Sequence, residues 1–139
     1  MQLADLHVII VEDSIMARNK LSEYLEEIGI KEVSEAGGGE MALSLLDKLA
    51  EDGRAPHLML LDWNMPQMDG IGVLKALQDM PKYSDLKVLM VSAERDKSQI
   101  VAALSKGANG FISKPVTKEG LEAKINEVVN EEEASSNAS

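Results

Sequence analysis

The sequence predicts an α/β protein built on one doubly wound, five-stranded parallel sheet with helices on both faces, a three-layer sandwich. Short apolar runs, almost uninterrupted, alternate along the chain with segments whose apolar residues recur at spacings of three and four. The runs are too continuous for strands with one wet face, which would alternate apolar and polar residues. A strand–helix alternation kept up from end to end calls for right-handed crossovers, and these place helices on either side of the sheet.

The first run is Leu6 to Val11, LHVIIV, followed by a helical face of Ile15, Leu21, Leu25 and Ile28 with Gly29 as its C-cap. Lys31 to Ala36 is a weaker strand. Met41, Leu45 and Leu49 form the face of the second helix, preceded by the triple glycine Gly37-Gly38-Gly39, which should make that loop mobile. Leu58 to Leu61, LMLL, is the third strand, and Val73, Leu74 and Leu77 mark the third helix. Leu86 to Val91, LKVLMV, is the fourth strand; Ile100, Val101 and Leu104 mark the fourth helix, closed by Gly107. Gly110 to Ser113 is a short fifth strand before a helix carrying Leu121, Ile125, Val128 and Val129. The reading is one domain over residues 1–130 and a polar, acidic, disordered tail over 131–139, with no output domain after Val129.

Charge and composition narrow the function. Fourteen Lys and Arg stand against 24 Asp and Glu, a net charge of -10, which disfavours a nucleic-acid or anionic-membrane surface and favours proteins or cations as partners. The chain has no cysteine, so neither a disulfide framework nor a thiolate metal site is open to it. The opening MQLADLHVIIVEDS lacks a basic, apolar leader, and no stretch holds the roughly 20 apolar residues of a membrane span. A cytoplasmic location is expected.

In sheets of this kind ligands bind beyond the carboxyl ends of the strands, where the strand order reverses. The strand ends here are chemically pointed: Glu12-Asp13 after the first, Asp62 at the third, Ser92-Ala93-Glu94 after the fourth and Lys114-Pro115 after the fifth. Glu12, Asp13 and Asp62 brought together would repel and raise one another's pKa unless a positive charge offsets them. Oxygen ligands without His or Cys suit a hard cation such as Mg²⁺, while the Ser92 hydroxyl and the Lys114 ammonium could both reach a phosphate in the same pocket. A strand-end carboxylate beside Mg²⁺ and a lysine can attack phosphorus and become an acyl phosphate. In that scheme Asp13 carries most of the metal binding, Asp62 is nucleophile and ligand, Glu12 assists through a water, and the Asn64 carbonyl adds a ligand from the turn. Pro66 and Gly70 shape the loop, letting the chain leave the strand sharply and enter the third helix without covering the nucleophile.

Each group has a plainer reading as well. Asp62 could be a turn residue, Glu12-Asp13 an N-cap pair unless Ser14 takes the cap, and Lys114 a solvated loop lysine. The glycine run fits neither G-x-G-x-x-G nor G-x-x-x-x-G-K-[ST], so it has no phosphate-cradling signature. His7, His57 and the eight Met residues read as structural, and Trp63 as a packed or partly exposed neighbour of the site.

The four strand-end motifs, in this order and on these elements, resemble the receiver domain of two-component response regulators over roughly residues 5–130. DWNMP, the SAE triplet and the absence of an output domain look most like the single-domain chemotaxis regulators of the CheY type, whose fold is flavodoxin-like. The resemblance implies Mg²⁺-dependent phosphotransfer from a histidine kinase to Asp62, catalysed by the receiver itself with Lys114 and Ser92, then hydrolysis. The chain would be a signalling protein that catalyses only its own phosphorylation and dephosphorylation. It further implies a switch in which Ser92 binds the phosphoryl group and Phe111 turns inward, re-aiming the fourth helix, fifth strand and fifth helix. Partners of that face would be the flagellar motor switch or a histidine phosphotransfer domain, and the chain would be a monomer. Asn64 and Glu94 hold the positions that set the lifetime of the acyl phosphate, and they match members that lose it quickly. A cis bond is expected at Pro115. Where chemotaxis members generally carry Thr and Tyr, this chain has Ser92 and Phe111; the hydroxyl survives, the phenol does not. A relay role, passing the phosphoryl group onward, is the alternative. A haloacid-dehalogenase-type phosphohydrolase would need a second Asp where Asn64 stands, and a flavin binder would need a Ser/Thr-rich loop where Glu12-Asp13 would repel phosphate.

Overall fold

A computed structural model describes residues 2–63, 65, 68–93 and 97–130, without the Lys97 side chain. Five strands, β1 (His7–Val11), β2 (Glu32–Ala36), β3 (Leu58–Asp62), β4 (Lys87–Ser92) and β5 (Gly110–Ser113), form one parallel sheet in the order β2-β1-β3-β4-β5. Helices α1 (Ile15–Glu27), α2 (Gly39–Glu51), α3 (Gly70–Gln78), α4 (Lys97–Ser105) and α5 (Lys118–Val129) alternate with them. The doubly wound architecture expected from the alternation is therefore present. Two short 3₁₀ turns, Leu3–Asp5 and Pro81–Tyr83, carry no apolar period and were not anticipated.

Period-two alternation within the buried strands sends side chains to two cores. Val8 and Ile10 of β1 join Leu58 and Leu60 of β3 under Leu21 and Leu25 of α1 and Leu121, Ile125 and Val128 of α5. Ile9 and Val11 join Met59 and Leu61 under Ala42 and Leu46 of α2, Val73 and Leu74 of α3 and Ala103 of α4. β1 and β3 are buried along their full length, which explains why both read as unbroken apolar runs. β2 and β5 are the sheet edges; β2 is polar and half-buried and β5 is only four residues long, which made their sequence signals weak.

Three expected helix faces need correction. Ile15 is 65% exposed: it opens α1 at the strand ends, past the last paired row of the sheet, and the inward face is Leu21 and Leu25. Met41 is 59% exposed; Leu49 is buried and Leu45 packs partly buried against the core as expected, and Gly39, Ala42 and Leu46 complete the inward face of α2. The small pair was overlooked because period reading weights bulk, yet smallness is required: a Cβ on Gly39 would stand 2.9 Å from Met68 and from Val73. That contact, rather than loop mobility, accounts for the last residue of the triple glycine. In α4, Val101 and Leu104 are exposed and Ala103 is the residue packed inward.

The caps follow the sequence closely. Ser14 accepts the Ala17 N–H at 3.2 Å, Asp69 the Gly72 N–H at 2.9 Å and Thr117 the Gly120 N–H at 3.0 Å. Gly29 and Gly107 sit at φ +102° and +106° just past α1 and α4, where only a residue without Cβ is comfortable. His7 and His57 are structural as expected. The buried His7 ring contacts the Arg54 carbonyl at 2.8 Å and Ser34 Oγ at 2.7 Å, while His57 Nδ1 accepts the His7 N–H at 3.0 Å. Among the described residues no helix is long and apolar enough to cross a membrane.

Candidate functional site

The order β2-β1-β3 reverses direction between β1 and β3, so a crevice opens beyond their carboxyl ends. β1 delivers Glu12 and Asp13 to it, and β3 delivers Asp62, its last residue. Carboxylate oxygens of these three side chains lie within 4.8 Å of one another. Glu12 and Asp62 are buried and Asp13 is exposed, so the cluster has a dry floor and a wet lip.

Lys114 reaches the same place from the end of β5. Its backbone N–H donates to the Ser92 carbonyl at 2.8 Å, continuing the β4–β5 ladder by one residue. The lysine Nζ stands 3.4 Å from Asp62 Oδ1 and 3.5 Å from Glu12 Oε2. The peptide bond from Lys114 to Pro115 is cis, as expected. Ser92 ends β4, fully buried, one residue beyond the Val91 that pairs with Asp62. Phe111 lies on β5 opposite Met90, half-buried against the α2–α4 core. Asn64, Pro66 and Glu94 lie outside the described residues.

Glu12 is the electrostatic centre of the cluster. Burial first, then the Asp62 charge and its hydrogen bond, push the Glu12 carboxyl up to about 7, with Lys114 and the Ser14 N–H pulling the other way. Its Oε1 accepts that N–H at 3.3 Å, and Oε2 is buried with no hydrogen-bond partner among the described residues. A buried oxygen of this kind is costly unless a proton or a cation meets it. Three oxygen donors, no His or Cys, and a buried oxygen that has the Lys114 ammonium at 3.5 Å but no hydrogen bond suit a small hard cation such as Mg²⁺.

The start of α3 is pressed against the same strand end. Gly70 donates its N–H to the Trp63 carbonyl at 2.9 Å, and a Cβ there would stand 2.8 Å from the Asp62 carbonyl oxygen. Gly70 is thus the first residue of a helix in backbone contact with β3, a tighter role than the turn residue expected from sequence. Trp63 is buried beside the cluster, at 8% exposure. Sequence reading missed Arg18, whose guanidinium Nη1 donates to the Glu12 carbonyl at 2.8 Å from the second turn of α1.

Residues 8–126 match the family model for the response regulator receiver domain. The chain belongs to that family. This receiver is 33% identical over 123 residues to a probable chemotaxis protein CheY of Rhizobium etli, covering 88% of this chain and 92% of the relative. It is 34% identical over 124 residues to a chemotaxis protein CheY homolog of Campylobacter jejuni, covering 89% and 92%. Among solved structures it resembles chemotaxis protein CheY4 of Vibrio cholerae, with a TM-score of 0.78 at 30% identity over 88% of this chain and 98% of that one. It also resembles a chain of the CheX–CheY–BeF3–Mg complex from Borrelia burgdorferi, with a TM-score of 0.78 at 28% identity over 89% of each. The chain is a CheY-like receiver with the flavodoxin-like fold, consistent with two-component signalling and chemotaxis.

Proposed function

We propose that this receiver accepts a phosphoryl group on Asp62 from a phosphohistidine of a histidine kinase and passes the event to a partner through the face made by α4, β5 and α5. The observation that carries this reading is the Lys114 ammonium lying 3.4 Å from Asp62 Oδ1 and 3.5 Å from Glu12 Oε2 at the switch point of the sheet.

In the transfer, an Asp62 carboxylate oxygen attacks phosphorus, the P–N bond breaks, and the departing imidazole takes up a proton. Lys114 holds a positive charge where the phosphoryl oxygens accumulate negative charge, and the Ser92 hydroxyl donates to one of them. Glu12, Asp13 and Asp62, with the Asn64 carbonyl, would hold Mg²⁺. Bound there, Mg²⁺ supplies Lewis-acid neutralisation of the phosphoryl oxygens. Burial of Asp62 limits water around the acyl phosphate, while exposed Asp13 leaves a path for the water that hydrolyses it. Asn64 and Glu94 act on that hydrolysis and make the signal brief.

Filling the pocket with a phosphoryl group draws Ser92 toward it, and Phe111 turns into the space released, re-aiming the α4–β5–α5 face. Exposed Val101 and Leu104 on α4 give that face apolar anchors for a protein partner. The flagellar motor switch is the partner class that the chemotaxis relatives favour, with a histidine phosphotransfer domain as the relay alternative. Incubation with acetyl phosphate and Mg²⁺, followed by intact-mass analysis, tests the reading. One acid-stable, base-labile phosphoryl group should appear on the wild type and none on Asp62→Asn, and equal labelling of both proteins would overturn it.

A further inference from the structure

Besides the Lys114 ammonium at its Oε2, Glu12 is held at three points by hydrogen bonds, two of them on its backbone. Its N–H donates to the Ala36 carbonyl at 3.1 Å, extending the β1–β2 ladder, and its Oε1 accepts the Ser14 N–H. The third is the Arg18 guanidinium, 2.8 Å from its carbonyl oxygen. Arg18 Nε also stands 3.3 Å from Glu35 Oε1 on β2, one residue before Ala36. One planar fork therefore ties α1, the end of β1 and the edge strand together. The fork passes close to the chain where β2 turns toward α2: a Cβ on Gly37 would stand 3.4 Å from Nη1. At 21% exposure the Arg18 side chain is sheltered while Glu35, at 40%, is not, so the bond to the Glu12 carbonyl is less diluted by solvent than the pair with Glu35.

We infer that Arg18 is a positioning residue for the acidic pair. The Glu12 carbonyl belongs to the peptide plane that joins Glu12 to Asp13, so fixing that oxygen fixes the direction in which the Asp13 Cα, and hence its carboxylate, leaves the strand end. Asp13 is the exposed member of the cluster, and no core packing orients it. A second tether acting through the backbone supplies what packing does not. The inference rests on the proposed divalent-cation site and assigns Arg18 no contact with cation or phosphate.

The sign of the effect separates positioning from simple charge. Arg18 is a cation held on the Glu12 backbone, so if its charge alone mattered, removing it would tighten the binding of another cation nearby. If it positions the pair, removing it loosens binding despite the electrostatic gain. The sole tryptophan, Trp63, adjoins Asp62 and reports binding without any phosphoryl chemistry. Mg²⁺ titrated into full-length wild type, Arg18→Ala and Arg18→Lys, followed by Trp63 fluorescence, should show the dissociation constant rising roughly tenfold for Ala, the lower end of what loss of an outer partner of a metal ligand costs. Lys keeps the charge but not the fork, so roughly a threefold rise is expected. The acetyl-phosphate labelling rate at saturating Mg²⁺ should stay within about twofold of wild type, because the ligands themselves are intact. If Arg18→Ala does not fold, Arg18→Lys alone decides. Unchanged or tighter Mg²⁺ binding by the variants would overturn the inference while leaving the phosphoacceptor reading standing; a wild type that binds no Mg²⁺ would overturn both.

Discussion

Glu12→Gln should make the metal-free protein more stable above neutral pH. The wild-type carboxyl lies at about 7 in the fold against an ordinary 4.5, through burial and the adjacent Asp62 charge. The folded state therefore holds a proton that the unfolded chain has already released between those values, and stability falls as pH rises through that window. Carried to pH 8, the cost is about 3 kcal/mol, and it belongs to the Glu12–Asp62–Lys114 cluster rather than to one side chain. Glutamine keeps an acceptor for the Ser14 N–H and can turn its amide N–H toward Asp62, so the charge leaves with little lost packing. Urea unfolding of both proteins in a chelator, at pH 5.5 and pH 8, measures the effect. His7 adds an opposite slope, since burial lowers its pKa and its contribution is lost as pH falls below its ordinary 6.5. That term is common to both proteins and cancels in their difference. Because the unfolded carboxyl is already mostly ionised at pH 5.5, Glu12→Gln should gain on wild type by about 2 kcal/mol between the two pH values. Parallel pH curves, or a glutamine variant weaker at pH 8, would refute the account of a buried, repelled carboxylate.

The remaining outcomes test other parts of the structure. Lys114→Met removes the ammonium beside Asp62 and should slow acetyl-phosphate labelling by roughly 10²–10³-fold at saturating Mg²⁺, as loss of a preorganised electrostatic donor does, and a rate near wild type would contradict its placement. Gly70→Ala drives a Cβ into the Asp62 carbonyl oxygen and Met90 Cε, both at 2.8 Å, and should cost about 1–3 kcal/mol by chemical unfolding. Gly38→Ala, which meets nothing within 4 Å on extended backbone at φ -174°, should be neutral within about 0.5 kcal/mol in the same assay. Mg²⁺ at a hundred times its dissociation constant should stabilise the wild type by about 2.7 kcal/mol at pH 8, and Asp13→Asn should lose most of that gain.

Much of this was legible in the chain because burial on both faces leaves a one-dimensional trace. β1, β3 and β4 announced themselves as apolar runs, and each run stopped at the residue that the fold places at the crevice. The site could be read because the strand ends converge by topology alone: once Val11 pairs with Leu61, and Asp62 with Val91, the groups that follow must be neighbours. Helix faces were harder. α2 shows Met41 and Leu45 to a reader who weighs size, but its inward stripe starts with Gly39 and Ala42, chosen for closeness rather than bulk. Gly70 stands at the entry to the third helix as expected, but its contact with β3 could not be read, since a close approach across elements leaves no local sign.

Arg18 shows where such reading stops. Nothing in MARNKL marks an arginine that reaches a backbone carbonyl, because backbone acceptors carry no residue identity. Nor could sequence reveal that Glu12 Oε2 would be left buried without a hydrogen bond, which is a property of three elements meeting. Yet that oxygen explains why the site is acidic beyond what a nucleophile needs. Glu12 sits buried against the Asp62 charge with one ammonium 3.5 Å away, a repulsion that a divalent cation among the three carboxylates would relieve. The cation's affinity is then set less by the ligands' intrinsic attraction than by how firmly the fold forbids them to move apart. The ladder bond to Ala36, the helix wedged against Asp62 at Gly70 and the Arg18 fork all impose that restraint through the backbone, and the Ser14 N–H adds a hold on Glu12 Oε1 itself.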